Sequence, residues 1–288
     1  MTSFRDKLDA ACQANRSLLC VGLDPDPALM PMEDVVEFNR AIIEATADLV
    51  CCYKPNLAFY EALGIPGLEA LQRTLEHIPR DIPVIGDAKR GDIGSTAQAY
   101  ARAMFQWWGF DAATANPYGG GDAIEPFLKY EDRGIFIWCR SSNPDAADFQ
   151  DLSVGQGSEQ RPFYEQVALK AWAWNRRGNV GLVMGATYPE QLQKVRQLCP
   201  DMPILAPGVG AQEGVLEKVV KFAAKFQENE NSSQVSLFGE ASEVQIPEPS
   251  VPPCEEWGTM EKLRREKEVV GIYISGHPLD EIKKEIQY

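Results

Sequence analysis

Asp87, Lys89 and Asp92 stand within the stretch DAKRGDIGST, Asp87 to Thr96. Acid, base and acid alternate there over six residues. Such an alternation is costly unless each charge offsets its neighbour or meets a ligand. An ammonium held beside carboxylates can stabilise a developing negative charge and then donate a proton to it. The charges follow an apolar stretch, IPVIG, that suits a buried strand, and precede STAQAYARAMFQWW, which suits a helix. The end of such a strand is where an α/β barrel sets its chemistry. The plain alternative is a surface turn carrying an ordinary ion pair, as most charge runs do. Val84 and Ile85 weigh against it, because they direct the strand into a core.

The elements that would position these charges alternate in the manner of parallel strands joined by helices. Strands are expected at SLLCVGLD, ADLVCCYKP, IPVIGDAK, AATANPY, GIFIWCRS, VGLVMGAT and PILAPGVG. Helices are expected at MEDVVEFNRAIIEAT, GLEALQRTLEHI, STAQAYARAMFQWW, DAIEPFLKY, PFYEQVALKAWAWNRR and PEQLQKVRQLC, where apolar positions recur at three and four. A closed (β/α)8 barrel needs one strand more than these seven. After Gly214, VLEKVVKFAAKFQ suits a further helix, over 215–227. Residues 228–253 turn to Asn, Ser, Glu and Pro and suit a disordered linker. Residues 254–288 then resume a structured pattern.

At 288 residues the chain can bury one sizeable core or two modest ones. A formal charge of −14 argues against broad attraction to nucleic acid or anionic membranes. An anionic substrate must then be held by a few placed cations. The seven cysteines lack paired metal-ligand spacing and suit reduced thiols of a cytoplasmic protein. No signal peptide or membrane-length apolar run is found. The two histidines, His77 and His277, stand at no strand end, which disfavours a Ser-His hydrolase and a His-ligated metal.

DAKRGDIGST resembles the signature of the orotidine 5′-phosphate decarboxylases, in the form carried by their longer bacterial subgroup. VGLDPDP (Val21–Pro27), YKPNLAFYE (Tyr53–Glu61), CRSSNPDAADFQ (Cys139–Gln150) and PGVGAQ (Pro207–Gln212) resemble four further blocks of that family, in the same order. The resemblance covers about residues 1–214. It implies a TIM (β/α)8-type barrel and a cofactor-free decarboxylation of orotidine 5′-phosphate to uridine 5′-phosphate, a step of pyrimidine synthesis, with no metal.

It also implies roles residue by residue. Lys89 becomes the proton donor, and Asp87 faces the substrate carboxylate. Lys54 holds Asp87 and the ribose hydroxyls. Asp92, with Thr96 beside it, reaches into the neighbouring subunit's site, so a complete site implies a homodimer. Asp24 binds a ribose hydroxyl, Ser142 reads the pyrimidine edge, and Pro207 and Gln212 belong to the loop that closes over base and phosphate. Taken singly, a lysine at a strand end is more often a solvated or paired charge, and a serine or aspartate in a turn is usually a cap.

After Gln212 nothing matches the family's phosphate-gripping arginine, and the native eighth strand is expected to be missing. Through QVSLFGEASEVQIP and EKLRREKEVVGIYISGHPLDE, about residues 215–288 instead resemble a late region of the bacterial DNA polymerase III alpha subunit, and the helix VLEKVVKFAAKFQ is expected to belong with that fragment. Gln234, Leu237 and Phe238 fit the spacing of the motif by which that subunit docks on the sliding clamp. Two other readings thus stand beside the decarboxylase: a non-catalytic chimera whose tail binds the clamp, and a related barrel enzyme acting on a sugar phosphate. The PNLAFYE and RSSNP blocks favour pyrimidine over sugar.

Overall fold

This computed structural model describes residues 2–209 and, beyond them, residue 219 alone. They fall within the compact unit Met1–Gln227. Gln212, the stretches 215–227, 228–253 and 254–288, and with them Gln234, Leu237 and Phe238, lie outside the described residues.

Seven parallel strands form at the seven expected places: β1 (Cys20–Leu23), β2 (Cys52–Pro55), β3 (Ile85–Arg90), β4 (Ala112–Ala115), β5 (Gly134–Arg140), β6 (Val180–Met184) and β7 (Ile204–Leu205). Pairing runs β1 to β2, and then β3 through β7 in sequence order. Single parallel bridges, Tyr53 to Val84 and Asn56 to Asp87, join the two groups. Short, apolar, β-branched runs linked by helices allow this order, because each crossover returns the chain parallel to the strand before.

The helices cover the outer face. Val35–Thr46 begins on Asp34, whose side chain accepts from the amides of Val36 and Glu37. The helix after β3 starts one residue early, at Gly94, and passes at Ala103 into a π turn that ends at Trp107. That turn splits the tryptophan pair. Trp108 stacks on Phe110 with centroids 6.4 Å apart, whereas Trp107 is 75% exposed. Besides the single turn Ala147–Gln150, two helices lack a counterpart in the sequence reading, α1 (Phe4–Asn15) and α2 (Leu57–Ala62). Both are short and weakly patterned, and their tertiary contacts carry them.

Helix α1 closes the floor of the strand array. Phe4 meets Phe136 edge to face at 5.8 Å and packs with Cys52, Ile85, Val183 and Leu205. Because side chains alternate along a strand, Cys52 and Ile85 fill the layer below Lys54 and Asp87, two residues further on. The charged residues thus rest on a dry apolar base. Among the described residues no helix is long and apolar enough to cross a membrane.

Candidate active site

Asp87 is the centre of the charged array. It lies within β3, only 8% exposed at its side chain, and receives three donors. Lys89 Nζ reaches Oδ1 at 2.8 Å, the Thr114 hydroxyl donates to the same oxygen at 2.8 Å, and Lys54 Nζ approaches Oδ2 at 3.3 Å. Burial, the largest influence, would raise the Asp87 pKa; Lys54, Lys89 and the Thr114 hydroxyl together outweigh it, and the carboxyl titrates below its ordinary value. Asp87 is therefore ionised near neutrality, as a like-charge neighbour of a substrate anion would have to be.

Lys54 extends the array to β1. Its ammonium stands 3.6 Å from Asp24 Oδ2 and is itself mostly buried. Burial lowers its pKa most, but Asp24 and Asp87 overturn that and hold the lysine above its usual value. For Asp24 the balance falls the other way: burial wins over Lys54 and the Asn56 amide, and the carboxyl is raised. That amide donates to Asp24 Oδ1 at 3.0 Å, while the Asn56 side chain caps α2 by accepting from Ala58 N. The helix that the sequence reading left out thus fixes the residue that holds Asp24.

Lys89 has a left-handed backbone, φ 43°, unusual for a residue with a Cβ. Thr114 holds that conformation. Its Oγ1 accepts from the amides of Ala88 at 3.0 Å and Lys89 at 2.8 Å while donating to Asp87. One hydroxyl has one proton and two lone pairs, and all three are used. The Lys89 ammonium ends 5.9 Å from the centre of the Trp138 ring. Thr114 was missed by sequence reasoning. Its only signal is a hydroxyl in the otherwise all-alanine run AATA, and its role depends on the register of β4 against β3.

Removing that hydroxyl should therefore cost catalysis as well as stability. Thr114→Val keeps the shape but loses a bond to a charged group, worth ~1.5–3 kcal/mol, and leaves two amides without an acceptor. Turnover should fall by about 10- to 150-fold, with a lower melting temperature, and Thr114→Ser should recover most of both. Unchanged turnover in the valine variant would show that Thr114 only fills space.

The remaining expected residues divide. Ser142 follows β5, and its carbonyl accepts from the Thr187 hydroxyl at 3.1 Å. Pro207 follows β7, with its carbonyl bonded to Ala186 N at 2.9 Å, and Gly208 beside it takes φ 98°, a conformation glycine allows. Both stand on the same end of the sheet as Lys54 and Asp87. Asp92 and Thr96 do not join the array: both are exposed, and the Asp92 carboxylate accepts from the amide of its own neighbour Ile93 at 2.7 Å. Among the described residues, no three His, Cys, Asp or Glu side chains are placed to hold a metal ion.

A parallel strand array with cations and carboxylates gathered at its C-terminal end defines an α/β-barrel enzyme for an anionic substrate. The comparisons narrow that class. The family model "Orotidine 5′-phosphate decarboxylase / HUMPS family" matches residues 17–235, and the chain belongs to that family. The match continues past Gly214, where the sequence reading ends the resemblance, and takes in the stretch 215–227. An orotidine 5′-phosphate decarboxylase of Thermomicrobium roseum is 58% identical over 225 residues, covering 76% of this chain and 79% of the relative. One from Roseiflexus castenholzii is 55% identical over 229 residues, covering 77% and 83%. Among solved structures, Leishmania donovani OMP decarboxylase superposes with a TM-score of 0.66 at 42% identity, covering 72% of this chain and 80% of that one. Leishmania donovani UMP synthase gives 0.70 at 42% identity; the match covers 77% of this chain and 48% of that longer one.

Proposed function

We infer that this chain decarboxylates orotidine 5′-phosphate to uridine 5′-phosphate without a cofactor. The observation that carries the reading is the Lys54–Asp87–Lys89 array, three charges joined by contacts of 3.3 Å and 2.8 Å on neighbouring strands. Loss of carbon dioxide leaves an electron pair on the pyrimidine carbon. With nothing to delocalise that pair, its stabilisation must come from charges already in place. Lys89 supplies the cation and then its proton to that carbon. Asp87, kept ionised by its three donors, repels the substrate carboxylate until it departs as neutral carbon dioxide. Lys54 and Asp24 take the ribose hydroxyls, Ser142 the pyrimidine edge, and Pro207 and Gln212 the closing loop.

The decisive assay follows loss of orotidine 5′-phosphate absorbance with and without a chelator. Turnover indifferent to chelator supports the decarboxylase. Absence of turnover, together with chelator-sensitive conversion of a sugar phosphate, would establish the related barrel enzyme instead. Clamp docking through Gln234, Leu237 and Phe238 is a separate proposal that rests on their spacing alone. Placement in the cytoplasm rests on the cysteine usage and on the reaction proposed.

A homodimer with shared sites belongs to the same proposal. Asp92 stands exposed beside Ile93, itself 61% exposed, and Tyr118 on the next strand's loop is 89% exposed. A second copy covering these apolar side chains would bring Asp92 to its site. Mixing inactive Asp92→Ala with inactive Lys89→Ala protein should then restore about a quarter of wild-type activity under random exchange, because half the dimers are mixed and each has one intact site. No recovery after verified subunit exchange would mean that each subunit works alone.

A further inference from the structure

Arg140, the last residue of β5, is 1% exposed and is the largest fully buried side chain among the described residues. Each nitrogen of its guanidinium has an acceptor. Nε donates to Gln191 Oε1 at 2.6 Å, Nη1 to Gln150 Oε1 at 3.0 Å, and Nη2 to Asp151 Oδ2 at 3.1 Å. The flat of the group lies 4.2 Å from the centre of the Tyr188 ring. Gln150 and Asp151 belong to the connection that follows β5, whereas Tyr188 and Gln191 belong to the segment that follows β6.

These same two segments hold the backbone around Ser142. Gln150 is bonded twice to Ser141, accepting its amide proton at 2.9 Å and donating to its hydroxyl at 2.8 Å. Thr187 donates to the Ser142 carbonyl, and the Tyr188 hydroxyl donates to the Asn143 carbonyl at 3.3 Å. Gly185 completes the fit, since a Cβ there would come within 2.8 Å of Ser142 N and Cα. Ser142 and Asn143 are thus held on the segment after β6 and Ser141 on Gln150 of its own loop, and Arg140 ties the two segments together beneath them.

A core needing only stability would do as well with an apolar residue here, because burying a guanidinium is costly even when paired. What arginine adds is a rigid planar fork that fixes three acceptors in set directions while its face stacks on a ring. We propose that Arg140 is a positioning residue for base recognition. It locks the loops after β5 and β6 into one wall, so that the backbone and hydroxyl of Ser142 meet the pyrimidine edge in a fixed place. The proposal rests on Ser142 reading the pyrimidine and extends that reading to a residue that touches no substrate.

Calorimetry on the full chain with two probes tests it. Uridine 5′-monophosphate engages the wall, and ribose 5-phosphate lacks the base and does not. Arg140→Lys, which keeps the charge but loses the fork, should weaken the nucleotide about tenfold or more while moving ribose 5-phosphate less than about twofold. The KM for orotidine 5′-phosphate should rise by a similar factor, with a smaller change in kcat. Gln191→Ala removes the acceptor that Arg140 uses on the β6 side and should show the same selectivity at smaller amplitude, which keeps the test open if the lysine variant fails to fold. Equal weakening of both probes, or no weakening of the nucleotide, would overturn the proposal while wild-type turnover leaves the decarboxylase reading standing. A wild-type chain inactive on orotidine 5′-phosphate would overturn both.

Discussion

Lys89→Ala should abolish decarboxylation, with kcat falling on the order of 10⁴-fold or more, while the fold survives. The factor combines two losses. A positioned general acid contributes about 10²–10⁴-fold, and a charge aimed at the developing carbanion contributes a comparable factor. Stability should change little, for three reasons visible in the geometry. The Lys89 side chain is one-third exposed, so its pairing with Asp87 is partly screened. Asp87 keeps Lys54 and the Thr114 hydroxyl in its absence. Alanine and lysine bear similar strain in the left-handed backbone at this position, and Lys89→Gly should relieve it, adding stability without returning activity. Single-turnover kinetics alongside circular dichroism measure both sides. Appreciable turnover in a folded alanine variant would take the proton-donor role away from Lys89.

Which parts of this site were legible in the sequence follows from the range of the interactions. All seven strands were placed, because each is a short apolar run closed by a turn and needs no partner to be recognised. Asp87 and Lys89 were visible for a similar reason, being charges set directly against such a run. Lys54 and Asp24 needed the family resemblance, since one lysine or one aspartate after a strand is ordinary. Thr114 and Asn56 were invisible. Thr114 matters only because β4 lies beside β3 in a register that sets its hydroxyl against Asp87, and Asn56 only because its amide faces β1. Arg140 stood in a quoted block without a role, for its meaning lies in residues ten and fifty positions away. Sequence periodicity reports which face a residue takes; it carries no information on which neighbour across the sheet shares that face.

The largest combined effect on stability and activity is expected from Lys54→Ala, and its cost in stability should shrink as pH falls. In the native array the lysine is the only described cation that reaches both Asp24, at 3.6 Å, and Asp87, at 3.3 Å. Without it Asp87 still has Lys89 and Thr114, but Asp24 is left with one backbone amide. Removing one partner from a buried pair costs ~3 kcal/mol or more near neutrality, because the remaining charge has lost its compensation. The variant can recover part of that by protonating Asp24, whose pKa burial already raises and which Lys54 was holding down. A carboxyl whose folded pKa lies above its unfolded value binds protons more tightly when folded. Its stability contribution therefore grows as pH falls from the raised value toward the unfolded one, and the variant should be more stable at pH 5 than at pH 7.5. The wild type should show this gain more weakly, because Lys54 still pulls the Asp24 pKa back toward its ordinary value. Asp87 lies below its ordinary value, so its contribution is present above the unfolded pKa and is lost only as pH falls below about 4. Turnover should drop by about 10³-fold at all these pH values, since protonating Asp24 restores neither the cation nor a carboxylate for the ribose. Chemical denaturation at the two pH values, with parallel kinetics, checks both parts. A variant whose stability follows the wild-type pH dependence would show that Lys54 does not hold the two carboxylates together.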